Sequence, residues 1–121
     1  MVKALFDTNI LFDYLSGHEE ARDELALYEK KWISLITWME VMVGATPATE
    51  PAIKGFLAQF ISLPIDDEVA RLAATLRKKH RIKLPDAIIW ATAQVNGMIL
   101  VSRNTNDFAA TEPGIRVPYK L

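Results

Sequence analysis

Short apolar runs alternate with longer amphipathic stretches, and most of the runs stop at a polar or glycine-containing turn. Val2 to Phe6 ends at Asp7-Thr8-Asn9, which predicts a buried strand closed by a polar turn. Ile10 to Leu15 is apolar at helical spacing and stops at Ser16-Gly17, while Glu19 to Lys31 sets Leu25, Leu27 and Tyr28 among charges; two helices are expected. Trp32 to Ile36 reads as a second strand, with Thr37 as the N-cap of a helix running to about Gly44. Thr46 to Pro51 is loop by its Thr and Pro content, Ala52 to Phe60 is helical, and Ile61 to Ile65 is a brief strand that Pro64 pushes toward an edge. Asp66-Asp67 caps a long helix from Glu68 to about His80, with Val69, Leu72, Ala73 and Leu76 as its apolar stripe. Pro85 starts another, whose buried face is Ala87, Ile88, Ala91, Thr92 and Val95, and Asn96-Gly97 ends it in a left-handed cap. Met98 to Val101 is apolar without alternation, as in a strand covered on both faces, and Ile115 to Val117 supplies a last edge strand.

Strands alternating with helices define an α/β fold: a three-layer sandwich whose central parallel sheet has four to five short strands flanked by helices. In such sheets ligands gather beyond the carboxyl ends of the strands. A chain of 121 residues, half of them apolar and 24% charged, has the size and composition of a single globular domain spanning 1–121. The formal charge of -1 gives no overall basic excess, so any nucleic-acid contact must use a local patch. No cysteine is present and only two histidines, His18 and His80, which removes thiol nucleophiles, Cys-ligated zinc and a histidine-built metal site. No export signal and no membrane-spanning run are visible, so a cytoplasmic protein without membrane contact is expected.

Four acidic residues fall at the strand exits: Asp7 after the first strand, Glu40 one turn past the second, Asp86 in the first turn of the penultimate helix, and Asp107 after the Met98 to Val101 strand. Each has a local explanation. Asp7 can cap a turn or helix, and Glu40 stands three residues after Thr37 in capping-box spacing. Asp86 can complement its helix dipole, and Asp107 can close the Asn104-Thr105-Asn106 turn. Together they pose a different problem. Four ionised carboxylates about 5 Å apart form six pairs that each repel by about 3 kcal/mol at an effective dielectric near 20. That sum exceeds the roughly 5 to 15 kcal/mol by which a domain is stable, so convergence requires either protons or a cation. All-oxygen ligation favours a hard ion, Mg²⁺ or Mn²⁺, one or two in number. Such ions take phosphate as a further ligand, which points to phosphodiester hydrolysis by an activated water.

The segments Leu5-Phe6-Asp7-Thr8-Asn9, Ile36-Thr37-Trp38-Met39-Glu40-Val41, Leu84-Pro85-Asp86-Ala87-Ile88-Ile89-Trp90-Ala91-Thr92-Ala93 and Leu100-Val101-Ser102-Arg103-Asn104-Thr105-Asn106-Asp107-Phe108 resemble, in order and along the whole chain, those of PIN-domain ribonucleases, most closely VapC-type toxins. The resemblance implies a Mg²⁺- or Mn²⁺-dependent endoribonuclease whose acidic ligands match Asp7, Glu40, Asp86 and Asp107. Asp7 and Asp86 would be the most direct ligands; Glu40 and Asp107 would complete the cluster directly or through water. It also implies cleavage of RNA to 5′-phosphate and 3′-hydroxyl ends, growth arrest, a homodimer, and inhibition by a cognate antitoxin that inserts a segment near the site. Thr8, Asn9, Ser102 and Asn104 are expected to orient ligands or waters. Trp90 departs from the small residue usual in relatives; it is either core or a base-stacking platform, with core favoured.

Between Val69 and Pro85 stand Arg71, Arg77, Lys78, Lys79, Arg81 and Lys83 with no acid among them, a local charge of +6 beside Asp86. Arg77, Lys78, Lys79, Arg81, Lys83 and, separately, Arg103 are candidates for phosphate contact; the alternative is that they complement a helix dipole and stay solvated. His80 is expected to be a helix-end residue rather than a general base. Three other readings compete: a PIN nuclease with an RNA-processing role, a Mg²⁺-binding receiver-like signalling domain, and a catalytically silent interaction module. The receiver would need paired acids after the first strand, where only Asp7 stands between Phe6 and Thr8.

Overall fold

A computed structural model describes residues 2–121. Its elements run β1 (Ala4–Phe6), α1 (Thr8–Leu15), α2 (Glu19–Ala26), β2 (Trp32–Ser34), α3 (Leu35–Val43), α4 (Glu50–Leu57), β3 (Ile61–Leu63), α5 (Asp67–His80), α6 (Leu84–Val95), β4 (Ile99–Val101) and β5 (Ile115–Arg116). The five strands form one parallel sheet in the order β3-β2-β1-β4-β5. The alternating strands and helices thus give the expected three layers, with β3 and β5 at the two edges.

Alternation within β1 feeds two cores. Ala4 and Phe6 point to the layer of α1, α2 and α4, where Phe6 meets Tyr28 edge-on at 5.2 Å and Ile10, Leu11, Leu25, Phe56 and Phe60 close around it. Leu5 points to the opposite layer, against Val69, Ala73, Leu76, Ala87, Ile89, Trp90 and Phe108. Asp66 caps α5 by accepting from Val69 N at 2.9 Å, and Gly97 takes φ +65° after α6, both as the sequence implies.

Three details differ from the sequence reading. The N-cap of α3 is Ser34, whose Oγ accepts from Ile36 N at 3.3 Å, not Thr37, which is buried inside the helix. Helix α2 ends at Ala26, well short of Lys31, because Tyr28 turns inward onto Phe6 and the chain leaves to begin β2. Finally, α6 has no single buried face: it is wedged against the sheet and α5, so Ile89, Trp90 and Ala93 are buried while Ile88 and Val95 are only partly so.

The strand order places the site. From β1 the chain moves to β2 and β3 on one side, then crosses to β4 and β5 on the other, so the connections diverge between β1 and β4. Residues leaving those two strands line the crevice that such a switch point opens. Asp7 N donates to Val101 O at 2.9 Å, which fixes the two exits side by side.

Candidate active site

Asp7, Glu40, Asp86 and Asp107 all line one solvent-open cavity of about 520 Å³, with Thr8, Asn9, Phe12, Lys83, Pro85, Asn104 and Asn106. The four acids converge from four elements. Asp7 is the N-cap of α1, its Oδ1 accepting from Thr8 N at 2.7 Å, so the capping role is real and does not compete with the site. Its Oδ2 accepts from Ser102 Oγ at 2.6 Å and from Asn9 Nδ2 at 3.2 Å. Glu40 is not in a capping box; its Oε1 accepts from Thr8 Oγ1 at 2.8 Å, and that same hydroxyl lies 3.0 Å from Thr37 Oγ1. Thr37, read from sequence as a cap, is therefore a buried support for the Thr8–Glu40 bond. Asp86 sits in the first turn of α6 behind Pro85. Asp107 accepts from Asn104 Nδ2 at 3.0 Å, and its own N–H donates to Asn104 Oδ1 at 3.2 Å.

Ser102 joins these pieces. Its hydroxyl donates to Asp7 and accepts from Asn104 N at 2.9 Å and Asn9 Nδ2 at 3.3 Å. Thr8, Asn9, Ser102 and Asn104, expected to orient other groups, thus each bond directly to one of the acids.

Burial lifts Asp7 to about pKa 6, against the lowering effect of Ser102 and Thr8, with the charges of Glu40 and Asp107 adding to the rise. Asp86 is lifted to about 7, by burial first, then by hydrogen bonding with Asp107 and the charges of Asp7, Asp107 and Glu40. Asp107 is held below the usual carboxylate range, chiefly by that bond with Asp86, with Asn104 and Lys83 assisting. Among the described residues no three of the acids stand around one point as a finished ion cage. The repulsion expected from sequence adds to burial in raising Asp7 and Asp86 above the usual carboxylate range. The donor set fits a hard divalent ion: it is all oxygen, and a bound cation would offset the mutual repulsion that adds to burial in raising Asp7 and Asp86.

The basic candidates separate. Lys83 lines the acid cavity, whereas Arg77, Lys78 and Arg81 border a different hollow of about 440 Å³ with Ala74 and Leu84. Arg77 also donates to Ile82 O at 2.6 Å, closing the end of α5, and Lys79 is exposed and lines neither cavity. The guanidinium of Arg103 is taken up by Asp13, through Nε at 2.7 Å and Nη2 at 3.0 Å, so a phosphate would have to compete with a bidentate ion pair whose carboxylate is buried. Trp90 is 4% exposed and meets Phe108 edge-on at 5.5 Å, which makes it core and leaves no face for a base. It ties the helix carrying Asp86 to the residue next to Asp107. His80 ends α5 with its ring 4.8 Å from Trp90 and does not line the acid cavity. No helix among the described residues is long and apolar enough to cross a membrane.

The acids gather at the switch point of a small parallel sheet, where folds of this class place their chemistry. The PIN domain description matches residues 4–112, and the chain belongs to the PIN-domain family. It is 30% identical to Ribonuclease VapC10 of Mycobacterium tuberculosis over 94% of each chain. It is 31% identical to the tRNA(fMet)-specific endonuclease VapC of Shigella flexneri, over 89% of this chain and 91% of that one. A chain of a toxin–antitoxin complex from Klebsiella pneumoniae superposes with a TM-score of 0.92 at 46% identity, covering 98% of this chain and 100% of that chain. The receiver-like alternative falls with these matches.

Proposed function

We propose that this chain is a VapC-type endoribonuclease, the toxin of a type II toxin–antitoxin pair, hydrolysing RNA with Mg²⁺ or Mn²⁺ in the cytoplasm. The observation that carries the reading is the meeting of Asp7, Glu40, Asp86 and Asp107 in one cavity at the β1–β4 switch point. The names of the relatives, a ribonuclease and a tRNA endonuclease, support RNA as the substrate class. Likeness to a chain of a toxin–antitoxin complex supports a cognate antitoxin as partner, and the family resemblance supports a homodimer.

Asp7 and Asp86 would hold the ion most directly, with Glu40 and Asp107 bonding to it or to its waters. When bound, the ion neutralises charge on the scissile phosphate and acidifies an attacking water. The chain's own residues do the rest. Thr8 fixes one oxygen of Glu40, leaving Oε2 to orient a water, and Ser102 and Thr8 N lock Asp7 in one rotamer. Lys83, on the rim, would face an incoming phosphate.

Cut sites mapped in total RNA test the reading. Wild-type protein with Mn²⁺ should leave new 5′-phosphate ends, lost on chelation and lost in Asp86→Asn with the fold retained. Full cleavage by Asp86→Asn would reject it.

A further inference from the structure

The acid cavity leaves another buried carboxylate unexplained. Asp13 on α1 is 8% exposed at its side chain and accepts three hydrogen bonds: from Arg103 Nε at 2.7 Å, Arg103 Nη2 at 3.0 Å and Tyr119 Oη at 2.8 Å. Arg103 lies between two residues of the site. Ser102 before it donates to Asp7, and Asn104 after it donates to Asp107. Its own N–H donates to Asn9 Oδ1 at 3.2 Å, while Asn9 Nδ2 reaches Asp7.

A near twin exists elsewhere. Glu24 on α2, 5% exposed, accepts from Arg116 Nε at 2.7 Å, Arg116 Nη2 at 2.8 Å and Tyr28 Oη at 3.0 Å. None of these three side chains bonds to a residue lining the acid cavity. Among the described residues their links toward the site are the main-chain pairing of Arg116 with β4, including Ser102 N to Arg116 O, and the packing of Tyr28 on Phe6, which a change at the Arg116 side chain leaves in place.

We propose that Asp13, Arg103 and Tyr119 are positioning residues: a clamp that ties the irregular 102–107 segment to α1 and so holds Asp107 and Ser102 at the working distance from Asp7 and Asp86. The clamp rests on the reading of the cavity as the nuclease centre. Buried Phe108 anchors the far end of the segment, but nothing in regular secondary structure holds its middle. A buried carboxylate requires its partner, so the bidentate Arg103 bond is an enforced geometry rather than a solvated surface pair. Misplacement of a reacting group by about 1 Å costs on the order of 100-fold in rate.

The test compares Arg103→Lys and Tyr119→Phe with Arg116→Lys, the matched change in the twin. For each variant, kcat and KM for an RNA substrate, the melting temperature, and the Mn²⁺ concentration giving half of the maximal thermal stabilisation are measured. Arg103→Lys keeps the charge and loses the fork; kcat should fall about 30-fold, or about 2 kcal/mol, with KM within about twofold and the Mn²⁺ requirement raised several-fold. Tyr119→Phe removes one hydroxyl and should lower kcat about fivefold, which keeps the clamp testable should Arg103→Lys fail to fold. Arg116→Lys should lose a similar melting temperature while kcat and the Mn²⁺ requirement stay within about twofold of wild type. Equal kcat losses at Arg103 and Arg116, or a change in KM alone, would overturn the clamp. Absence of any wild-type cleavage would instead overturn the nuclease reading, and the Mn²⁺ shift would still decide whether Arg103 positions the acids.

Discussion

The two sides of the acid cavity solve the same problem differently. Asp7 is almost fully buried and every one of its oxygens is occupied by a donor from the protein: Thr8 N, Ser102 Oγ and Asn9 Nδ2. Asp86 and Asp107, across from it, are more open, and they meet as a pair, one lifted to about pKa 7 and the other held low. Burial raises both Asp7 and Asp86, but hydrogen-bond donors restrain the first while an acidic neighbour drives the second higher. Donor bonds hold the Asp7 side in place, whereas the Asp86 side is a carboxyl pair whose charge a bound cation would offset.

The sharpest way to break this contrast is to neutralise each side in turn. Asp7→Asn and Asp86→Asn should both lower RNA cleavage by at least about 100-fold, or about 3 kcal/mol of barrier. Their stabilities should part. Asp86→Asn removes repulsion with Asp7, Asp107 and Glu40 and should raise the metal-free melting temperature at pH 8 by a few degrees. Asp7→Asn should gain less, because its new amide must donate to a Ser102 Oγ already accepting from Asn104 and Asn9. An equal gain in both, read by thermal denaturation, would mean that the two sides are not distinct.

Stability against pH is the next effect in size. A carboxyl whose pKa is higher folded than unfolded binds more protons in the fold between the two values, so stability falls as pH rises through that window and is constant above it. For Asp7 the window runs from about 4 to about 6, a contribution of about 3 kcal/mol. Asp86 acts in the same direction up to about pH 7, and Asp107 opposes it. Chemical denaturation at pH 4 and pH 8 without metal should show wild type losing stability relative to Asp7→Asn across this range. Saturating Mn²⁺ at pH 8 should return most of the loss, since the ion takes the place of the protons.

Much of this centre was legible in the chain because its acids sit at exits that hydrophobic pattern alone can find. The apolar run into Asp7, the Pro85 start before Asp86 and the buried strand before Asp107 each name a rim position. What stayed hidden depends on choices between chemically similar residues or on partners far along the chain. Ser34 and Thr37 can both cap a helix; Ser34 does so because Leu35 and Ile36 already turn helical, which carries Thr37 inward to Thr8. The α6 pattern looks one-sided only if one layer covers it, whereas α5 covers a second side and buries Trp90 and Ala93. Asp13 looks like a solvated helix residue, and its Arg103 partner lies 90 positions away. No spacing rule reaches that far.

The smallest expected effects separate the two sides most cleanly, because each removes a single supporting group. Ser102→Ala deletes the donor that lowers Asp7, so Asp7 should move further above pKa 6 and need a higher pH to ionise. Cleavage at pH 7 should fall by up to about tenfold and recover largely by pH 8.5, which gives the loss a pH signature that simple misfolding lacks. Asn104→Ala deletes the matching donor to Asp107, but Asp107 is only partly buried and takes its main stabilisation from Asp86, so the loss should stay within about threefold. It should also be flat between pH 6.5 and 8.5, a range above the depressed pKa of that carboxyl. A pH-dependent loss in Asn104→Ala, measured as kcat across that range, would show that donor bonds govern both sides alike and that the division between a rigid acid and a proton-sharing pair is false.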